Sequence, residues 1–296
     1  MKLLIIFNPR AAHGRSAKKL NEIKTAFERR DIDVEVKSTT CPGNGSKLVA
    51  EADLTAFDGL VAAGGDGTLF EVLNGLYAQP ASHRIPVGIL PIGTGNAFSR
   101  DLDIKTDGLN DAINIIKSAN TRQIDVAKVE AADGDFYFLN VLHMGFSVAA
   151  GQAAQKLKFL GDVAYTLATL WQVLKLKHYP LEIEIDGQRL HQDVVFTTIS
   201  NSRYTGTHFL IAPDASIDDG KLDVISLNKL KRLRVLKLFP TIYKGTHIEF
   251  EEVSCMQAKH ISLLSPSGML LGPDGEFCGH TPAKIKCLRK DLTVFC

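Results

Sequence analysis

The chain has 296 residues, enough for two domains with hydrophobic cores, and its 45% hydrophobic and 23% charged residues are ordinary for a globular protein. A formal net charge of +1 provides no global attraction to nucleic acid, so we expect no nucleic-acid partner. Five cysteines without a CxxC pair argue against a disulfide or zinc framework and predict reduced thiols in the cytoplasm.

The first 120 residues alternate predicted strands and helices. Apolar runs predict strands at residues 3–7, 34–37, 59–63 and 87–90. Apolar residues at helical spacing predict helices at residues 17–27 (after Ser16), 47–52, 69–76 and around 112–116. This alternation is typical of a parallel sheet with helices on its faces, so residues 1–123 are predicted to form an α/β domain.

The pattern changes at Ile124. Short strands separated by Gly, Asp and Pro turns are predicted at residues 125–129, 136–141, 181–185, 194–199, 222–226, 261–264 and 283–287, with a helical stretch at 147–177. Residues 124–296 are therefore predicted to form a largely antiparallel β domain, and the final residues could pack back on the first domain.

Three glycine-containing turns each follow a predicted strand of the first domain, at residues 8–15, 64–68 and 91–96. Ligands of parallel sheets bind beyond the carboxyl ends of the strands, where all three turns fall. Glycines let the backbone approach a phosphate chain, and the helix N-terminus after residue 68 favours its negative charge. Asp66 adds a carboxylate where a phosphate-bound Mg²⁺ would sit.

Each turn could also be an ordinary strand-to-helix connection, with Asp66 simply exposed. Neither a P-loop nor a GxGxxG pattern is present, which disfavours P-loop enzymes and dinucleotide oxidoreductases.

Together these residues resemble the diacylglycerol kinase catalytic family of lipid kinases, which includes soluble bacterial diacylglycerol kinases, YegS-like lipid kinases, and sphingosine and ceramide kinases. The resemblance is carried by Asn8-Pro9, Gly64-Gly65-Asp66-Gly67-Thr68, Glu71-Val72-Leu73-Asn74-Gly75, Pro91-Ile92-Gly93-Thr94-Gly95-Asn96, residues 212–223 and Asp274-Gly275-Glu276. It covers nearly the whole chain. It implies a Rossmann- or phosphofructokinase-like α/β domain, a C-terminal antiparallel β-sandwich, and an active site in the cleft between them.

The resemblance also implies roles for individual residues. ATP would be contacted by residues of the strand-end turns and the helix that follows: Asn8, Pro9, Arg10, Ala11, Ala12, Thr39, Gly64, Gly65, Asp66, Gly67, Thr68, Leu69, Phe70, Glu71, Gly93, Thr94, Gly95 and Asn96. Glu276 would take the proton from the lipid hydroxyl, and we assign Asp66 to the catalytic Mg²⁺ and the reacting hydroxyl. A structural Mg²⁺ would be held by the Asp219 side chain and the Ser216 and Lys221 carbonyls.

One position departs from the diacylglycerol kinase branch, in which aspartate usually follows the asparagine of GTGN. Here Ala97 follows Asn96, as in the sphingosine kinase branch, yet residues 145–149 lack the acid which that branch uses for the sphingoid amine. A diacylglycerol-like acceptor and a sphingoid base therefore both stay open.

Individual motifs are also compatible with different functions. The GGDGT string is shared with NAD kinases, and Ala97 leaves open a nucleotide-binding regulatory protein without transfer activity. Glu276 could be a hairpin acid after an Asp-Gly turn, and Asp218-Asp219-Gly220 could be a plain turn.

Membrane contact is expected to be peripheral, because no apolar stretch approaches the roughly 20 residues of a membrane span. Residues 159–176 carry apolar side chains at helical spacing with lysines at both ends, and residues 229–237 form a basic run. A core helix and a solvated charged face would explain the same two patterns. We expect a cytoplasmic kinase that meets its lipid substrate at the membrane surface, with a homodimer left open.

Overall fold

The computed structural model describes residues 1–105, 108–156 and 176–296. The chain forms two compact units. The first comprises Met1–Val126, Tyr137–Leu139 and Arg289–Cys296, and the second comprises Ala127–Phe136 and Asn140–Leu288.

The first unit is built on a parallel sheet. Its strands are β1 (Lys2–Phe7), β2 (Asp33–Ser38), β3 (Gly59–Gly64), β4 (Val87–Pro91) and the end of the long strand β16 (Ala283–Phe295). Its helices are α1 (Leu20–Glu28), α2 (Asn44–Ala50), α3 (Asp66–Tyr77), α4 (Ala97–Asp101) and α5 (Leu109–Ser118), with 3₁₀ turns at Ala11–Lys19, Leu54–Ala56 and Ala81–His83. The strand order is β2-β1-β3-β4-β16, and each of these pairings is parallel.

The centre of this sheet explains the apolar runs in the sequence. Leu3, Leu4, Ile5 and Ile6 of β1 have no exposed surface, and all of β3 is buried. Parallel strands with helices on both faces are expected to read as continuous apolar runs, because each face is covered. Burial of such a side chain stabilises the fold by about 1.5–3 kcal/mol.

The second unit is dominated by antiparallel strands. After β5 (Thr121–Ala131) and β6 (Gly134–Phe138), its strands are β7 (Val141–Gly145), β8 (Tyr179–Ile185), β9 (Gln188–Ser200), β10 (Tyr204–Thr205), β11 (Phe209–Leu210), β12 (Leu222–Asn228), β13 (Val253–Ala258), β14 (His260–Ser265), β15 (Gly272–Pro273) and the start of β16. Its helices are α6 (Phe146–Lys156) and α7 (Arg232–Leu238), with 3₁₀ turns at Phe239–Lys244 and Thr246–Glu249.

The long strand β9 organises this second unit. On one edge its first half pairs with β8 and its second half with β7, while the other edge pairs with β12. All three pairings are antiparallel, as are β12 with β13 and β8 with β14. An α/β domain followed by an antiparallel β-sandwich is thus confirmed.

The structure differs from the predicted elements in a few places. The helix predicted from residue 17 begins instead at Leu20, because the preceding residues form an irregular 3₁₀ segment with positive φ at Ala12, His13 and Gly14. Helix α6 covers the start of the stretch predicted at 147–177, and residues 157–175 lie outside the described residues. None of the helices in the described ranges combines the length and apolar character needed to span a bilayer.

Candidate active site

The predicted nucleotide residues of the first unit lie at one edge of its sheet. Strands β1, β3 and β4 are parallel neighbours, so the turns that follow them lie side by side. Residues 8–12 follow β1, and Thr39 follows β2. Gly64 ends β3, Gly65 caps α3, and residues 66–71 form the first turns of α3. The connection from β4 to α4 contains Gly93, Thr94, Gly95 and Asn96. Main-chain bonds tie the strand ends together: the Asn8 N–H donates to the Ala63 carbonyl at 2.9 Å, and the Thr39 N–H donates to that of Phe7 at 2.8 Å.

Two of these turns approach each other so closely that only glycine fits. A Cβ on Gly93 would lie 2.4 Å from the Cα of Gly65, and a Cβ on Gly64 would lie 2.1 Å from Thr68 Oγ1. The Gly93 N–H donates to the Gly64 carbonyl at 3.0 Å and to Asn96 Oδ1 at 3.1 Å. The Asn96 side chain therefore fixes the turn it belongs to, and the glycines leave bare backbone at the strand ends.

The loop after β1 has an unusual backbone conformation. Ala12 and His13 have φ of 49° and 59°, values that L-residues rarely adopt and that cost on the order of 1–3 kcal/mol. The loop is held by Ser16 Oγ, which donates to the Asn8 and Ala11 carbonyls, and by Asn8 Nδ2, which donates to Thr68 Oγ1 at 3.0 Å. The sequence pattern indicates Ser16 only as the start of a helix. Strain of this kind is concentrated at ligand sites.

Asp66 is the first residue of α3, and its side chain accepts hydrogen bonds from the neighbouring helix α4. Its Oδ1 accepts the N–H groups of Ala97 at 2.8 Å and Phe98 at 3.3 Å, at the start of α4. Because Ala97 takes part through its main chain, this contact does not require the aspartate found in the diacylglycerol kinase branch. Burial raises the pKa of Asp66 to about 6, although these N–H groups oppose the rise by stabilising the carboxylate.

Glu71 makes a structural contact that its sequence motif does not indicate. Its two carboxylate oxygens accept the N–H groups of Gly43 at 2.7 Å and Gly45 at 2.6 Å, at the start of α2. Ser46 Oγ donates to the Glu71 carbonyl at 2.8 Å. Glu71 therefore joins α3 to α2, and contact between its carboxylate and a nucleotide stays a prediction.

In the second unit, Glu276 is the last residue of a tight turn. The Glu276 N–H donates to the Pro273 carbonyl at 2.7 Å, and the two central residues, Asp274 and Gly275, have φ of 49° and 85°. Positive φ at both positions is what favours Asp-Gly in such turns. The hairpin geometry is thus present, and it is compatible with a catalytic carboxylate.

The turn that carries Glu276 is anchored by a buried carboxylate. Asp274 is 7% exposed, and its Oδ1 accepts the N–H groups of Asn140 at 2.9 Å and Val141 at 3.1 Å. The Asp274 N–H in turn donates to the Val141 carbonyl at 3.0 Å. Sequence reasoning missed this anchoring contact, since its partners lie more than 130 positions away.

The predicted structural metal loop is also in the second unit. The exposed Asp219 accepts the Lys221 N–H through Oδ1 at 2.9 Å, and Ser216 Oγ donates to Asp218 at 2.9 Å. Within the described ranges, no cluster of three or more His, Cys, Asp or Glu side chains is placed to hold a metal. The predicted ligand set contains a single carboxylate and two carbonyls, so it stays a prediction.

Comparison with known proteins identifies both halves of the chain. Residues 2–129 match the diacylglycerol kinase catalytic domain, and residues 140–296 match the YegS C-terminal NAD kinase beta sandwich-like domain. Together with a glycine-lined strand-end site, these two folds define a lipid kinase.

Relatives that match this chain over nearly its whole length identify the family. The chain is 30% identical over 292 residues to a diacylglycerol kinase of Bacillus subtilis (strain 168), a match that covers 98% of this chain and 94% of the relative. It is 30% identical over 296 residues to one of Mycobacterium tuberculosis (strain ATCC 25618 / H37Rv), covering 99% and 94%. A crystal structure of a proposed diacylglycerol kinase from Bacillus anthracis str. Sterne superposes with a TM-score of 0.83 at 28% identity, covering 99% of this chain and 94% of that one.

The chain therefore belongs to the diacylglycerol kinase catalytic domain family. The predicted family, fold and enzyme class are confirmed, and membership of a kinase family implies ATP as the phosphate donor.

Proposed function

We propose that this lipid kinase transfers the γ-phosphoryl group of ATP to the hydroxyl of diacylglycerol or a related long-chain lipid. Its support is the match, over 98% of the chain, to a relative named diacylglycerol kinase. The absence of a carboxylate from residues 145–149 argues against a sphingoid base, whose amine would need an acidic partner.

The strand-end site of the first unit is proposed to bind the ATP phosphates. The single observation that carries this assignment is the close approach of Gly65 and Gly93, which leaves backbone without side chains beside the N-terminus of α3. The first N–H groups of a helix have no partner within it and favour an anion. The exposed Arg10 would offset phosphate charge.

Glu276 is proposed as the base. As the lipid oxygen bonds to the γ-phosphorus, its proton passes to the Glu276 carboxylate, and the bond from the γ-phosphorus to the ADP oxygen breaks. A lipid alcohol is a poor nucleophile at neutral pH, and general-base assistance typically contributes about 10²–10⁴-fold. The anchored turn at Asp274 would hold this carboxylate in place.

Mg²⁺ is the proposed metal. Carboxylate and carbonyl oxygens are the ligands it prefers, and Asp66 fits because both hydrogen bonds from α4 go to Oδ1. Bound there, the ion would neutralise charge on the transferring phosphoryl group. Asp219 with the Ser216 and Lys221 carbonyls offers a second oxygen set of a structural kind. That the site lies in a cleft between the domains, and that the protein is cytoplasmic, stay predictions.

The test is transfer of radiolabelled phosphate from ATP with Mg²⁺ to diacylglycerol, to sphingosine in matched mixed micelles, and to NAD. We expect labelled phosphatidic acid as the main product. Preferential labelling of sphingosine would favour the acceptor suggested by Ala97, and labelled NADP would overturn the lipid acceptor.

Variants separate the proposed roles. Glu276→Gln should lower kcat at least 100-fold with the KM for ATP little changed, because it removes a proton acceptor and no predicted nucleotide contact. The matched control is Glu249→Gln, an exposed residue of the same unit. Full activity of Glu276→Gln would remove Glu276 from the mechanism without affecting the acceptor assignment.

A further inference from the structure

One short segment of the second unit, residues 231–244, is apolar on two sides. It consists of α7 and the 3₁₀ turn that follows it. Its inner side is formed by Val235, Leu238 and Ile242, which are at most 6% exposed and pack in the same core cluster as Phe196 of β9. This inner side attaches the segment to the core of the second unit.

The outer side carries a second apolar stripe. Leu233 is 75% exposed, Leu236 39% and Tyr243 45%, and Pro240 between them is also exposed. Leu233 and Leu236 are three positions apart on α7, and Pro240 and Tyr243 are three positions apart on the 3₁₀ turn, so the two residues of each element lie on the same face of it. In the described part of the chain, the only other large hydrophobic side chain with such exposure is Met1. Exposed apolar residues concentrated on one face usually mark an interaction site.

The surroundings of this stripe are cationic. Lys231, Arg232, Lys237 and Lys244 are exposed, and the segment contains no acidic residue. Arg234 does not belong to this charged rim, because it forms an ion pair with Glu252, with Nε 2.5 Å from Oε1. Tyr243 is held at the surface by Phe209, with ring centroids 4.8 Å apart.

We propose that residues 231–244 form a docking surface for a lipid bilayer that contains anionic headgroups. Leucines and a tyrosine on the exposed face of a short helix, with lysine and arginine around them, form the arrangement that inserts into the boundary between headgroups and acyl chains. The cations then meet the negative surface charge of the bilayer. The helix lies in the interface plane and does not cross it.

A second copy of this chain fits the surface less well. In a symmetric dimer the same patch meets itself, which would bring two sets of four exposed cations together without an acidic partner in the segment. Like charges across an interface oppose association. An anionic membrane would bury the apolar stripe and attract the cations around it.

The inference goes beyond phosphoryl transfer, and its test does not require turnover. The purified protein is sedimented with vesicles of phosphatidylcholine alone or with 40 mol% phosphatidylglycerol, at low and high salt. We expect binding to the anionic vesicles and its loss at high salt. Leu233→Ser/Leu236→Ser should reduce binding at least tenfold, and Lys231→Gln/Arg232→Gln/Lys237→Gln should reduce it by about 100-fold at low salt, at about fivefold per cation.

The matched charge control is Lys259→Gln/Lys284→Gln/Lys286→Gln, which removes three exposed lysines of the same unit and should bind as the wild type does. Circular dichroism and thermal melts verify that each variant is folded. Equal binding of both vesicle types by the wild type, undiminished binding by the leucine variant, or a wild-type dimer that the leucine variant loses would each overturn the proposal. Failure of docking with normal transfer in detergent micelles would leave the kinase assignment intact.

Discussion

Replacing Asp66 with asparagine should make the protein more stable at neutral pH while removing its activity. Burial raises the pKa of this carboxyl to about 6, so the folded protein holds the carboxylate at pH 7 at a cost in stability. The asparagine carbonyl can still accept the Ala97 N–H, which lies 2.8 Å from Oδ1 in the wild type. The variant keeps the contact and loses the charge.

The size of the effect follows from the pKa. Because a tenfold change in an equilibrium constant corresponds to about 1.4 kcal/mol, moving the Asp66 pKa from 3.8 to about 6 costs the folded state about 3 kcal/mol above pH 6. Because Asp66 is only partly buried, we expect Asp66→Asn to raise the free energy of unfolding by roughly 1–3 kcal/mol at pH 7.5. The folded state binds the proton more tightly than the unfolded chain, so the cost grows as pH rises from about 4 to 6 and vanishes below that range.

Urea unfolding in a buffer with chelator measures this difference at pH 7.5 and at pH 4. The free energy of unfolding of the variant should exceed that of the wild type at pH 7.5 and equal it at pH 4. Its phosphoryl transfer should fall at least 100-fold, because the proposed ligand of the catalytic Mg²⁺ is gone. Asp33→Asn, at an exposed aspartate of the same unit, is the matched control and should change neither quantity. A variant that is less stable than the wild type at pH 7.5, or a gain that does not depend on pH, would refute the reasoning.

Three further predictions concern a close backbone contact, a buried carboxylate and a partly buried thiol. Gly93→Ala should lower stability by at least about 2 kcal/mol and weaken ATP binding in calorimetry, since its Cβ would meet the Gly65 backbone at 2.4 Å. Asp274→Ala should cost roughly 2–4 kcal/mol in urea unfolding, because two buried N–H groups lose their acceptor. In thiol modification at pH 8, Cys278 should react far more slowly than the exposed Cys41, since burial and then nearby carboxylates raise the Cys278 pKa to about 12.

Each of these predictions has a control within the chain. Gly187→Ala introduces a side chain at positive φ with nothing within 4 Å, so it measures backbone strain alone, whereas Gly93 is not at positive φ. The collision should make Gly93→Ala the more costly of the two, and a cost at Gly93 no greater than at Gly187 would contradict the steric argument. Asp274→Asn retains an acceptor and should recover most of the loss, whereas equal destabilisation by both substitutions would show that the two N–H contacts are not what matters. Labelling of Cys278 as fast as Cys41 would exclude a high thiol pKa.

The elements that sequence reasoning predicted well are those with strong local signals. The apolar runs of β1 and β3 and the glycines after them predict a parallel sheet and the edge at which the candidate site lies, because both depend on a few consecutive residues. Strand β13 was missed since it is an edge strand of mixed exposure, and α7 was missed because its inner and outer sides are both apolar. Its burial could be assigned only from the core it packs against.

The site shows the same limit. Sequence motifs single out Asp66 and Glu276 as candidate site residues, but they do not indicate the hydrogen bonds that position Asp66 or the turn that carries Glu276. Asp66 contacts main-chain groups 31 and 32 positions away, and the Asp274 anchor depends on residues 133 and 134 positions away. Contacts of this kind depend on tertiary structure, and main-chain donors leave no trace in residue type. The glycine at position 93 is informative only once Gly65 is known to lie against it.

The last strand affects how this protein can be made in the cell. Val294 of β16 pairs with Val87 of β4, and a Cβ on Gly59 would meet the Phe295 ring at 2.7 Å. The first unit therefore lacks the strand that covers β4 and one core ring until residues 294 and 295 have been translated. Nascent chains that stop short of β16 would expose the β4 edge, a template for aggregation, so chaperone dependence during translation should centre on the first unit.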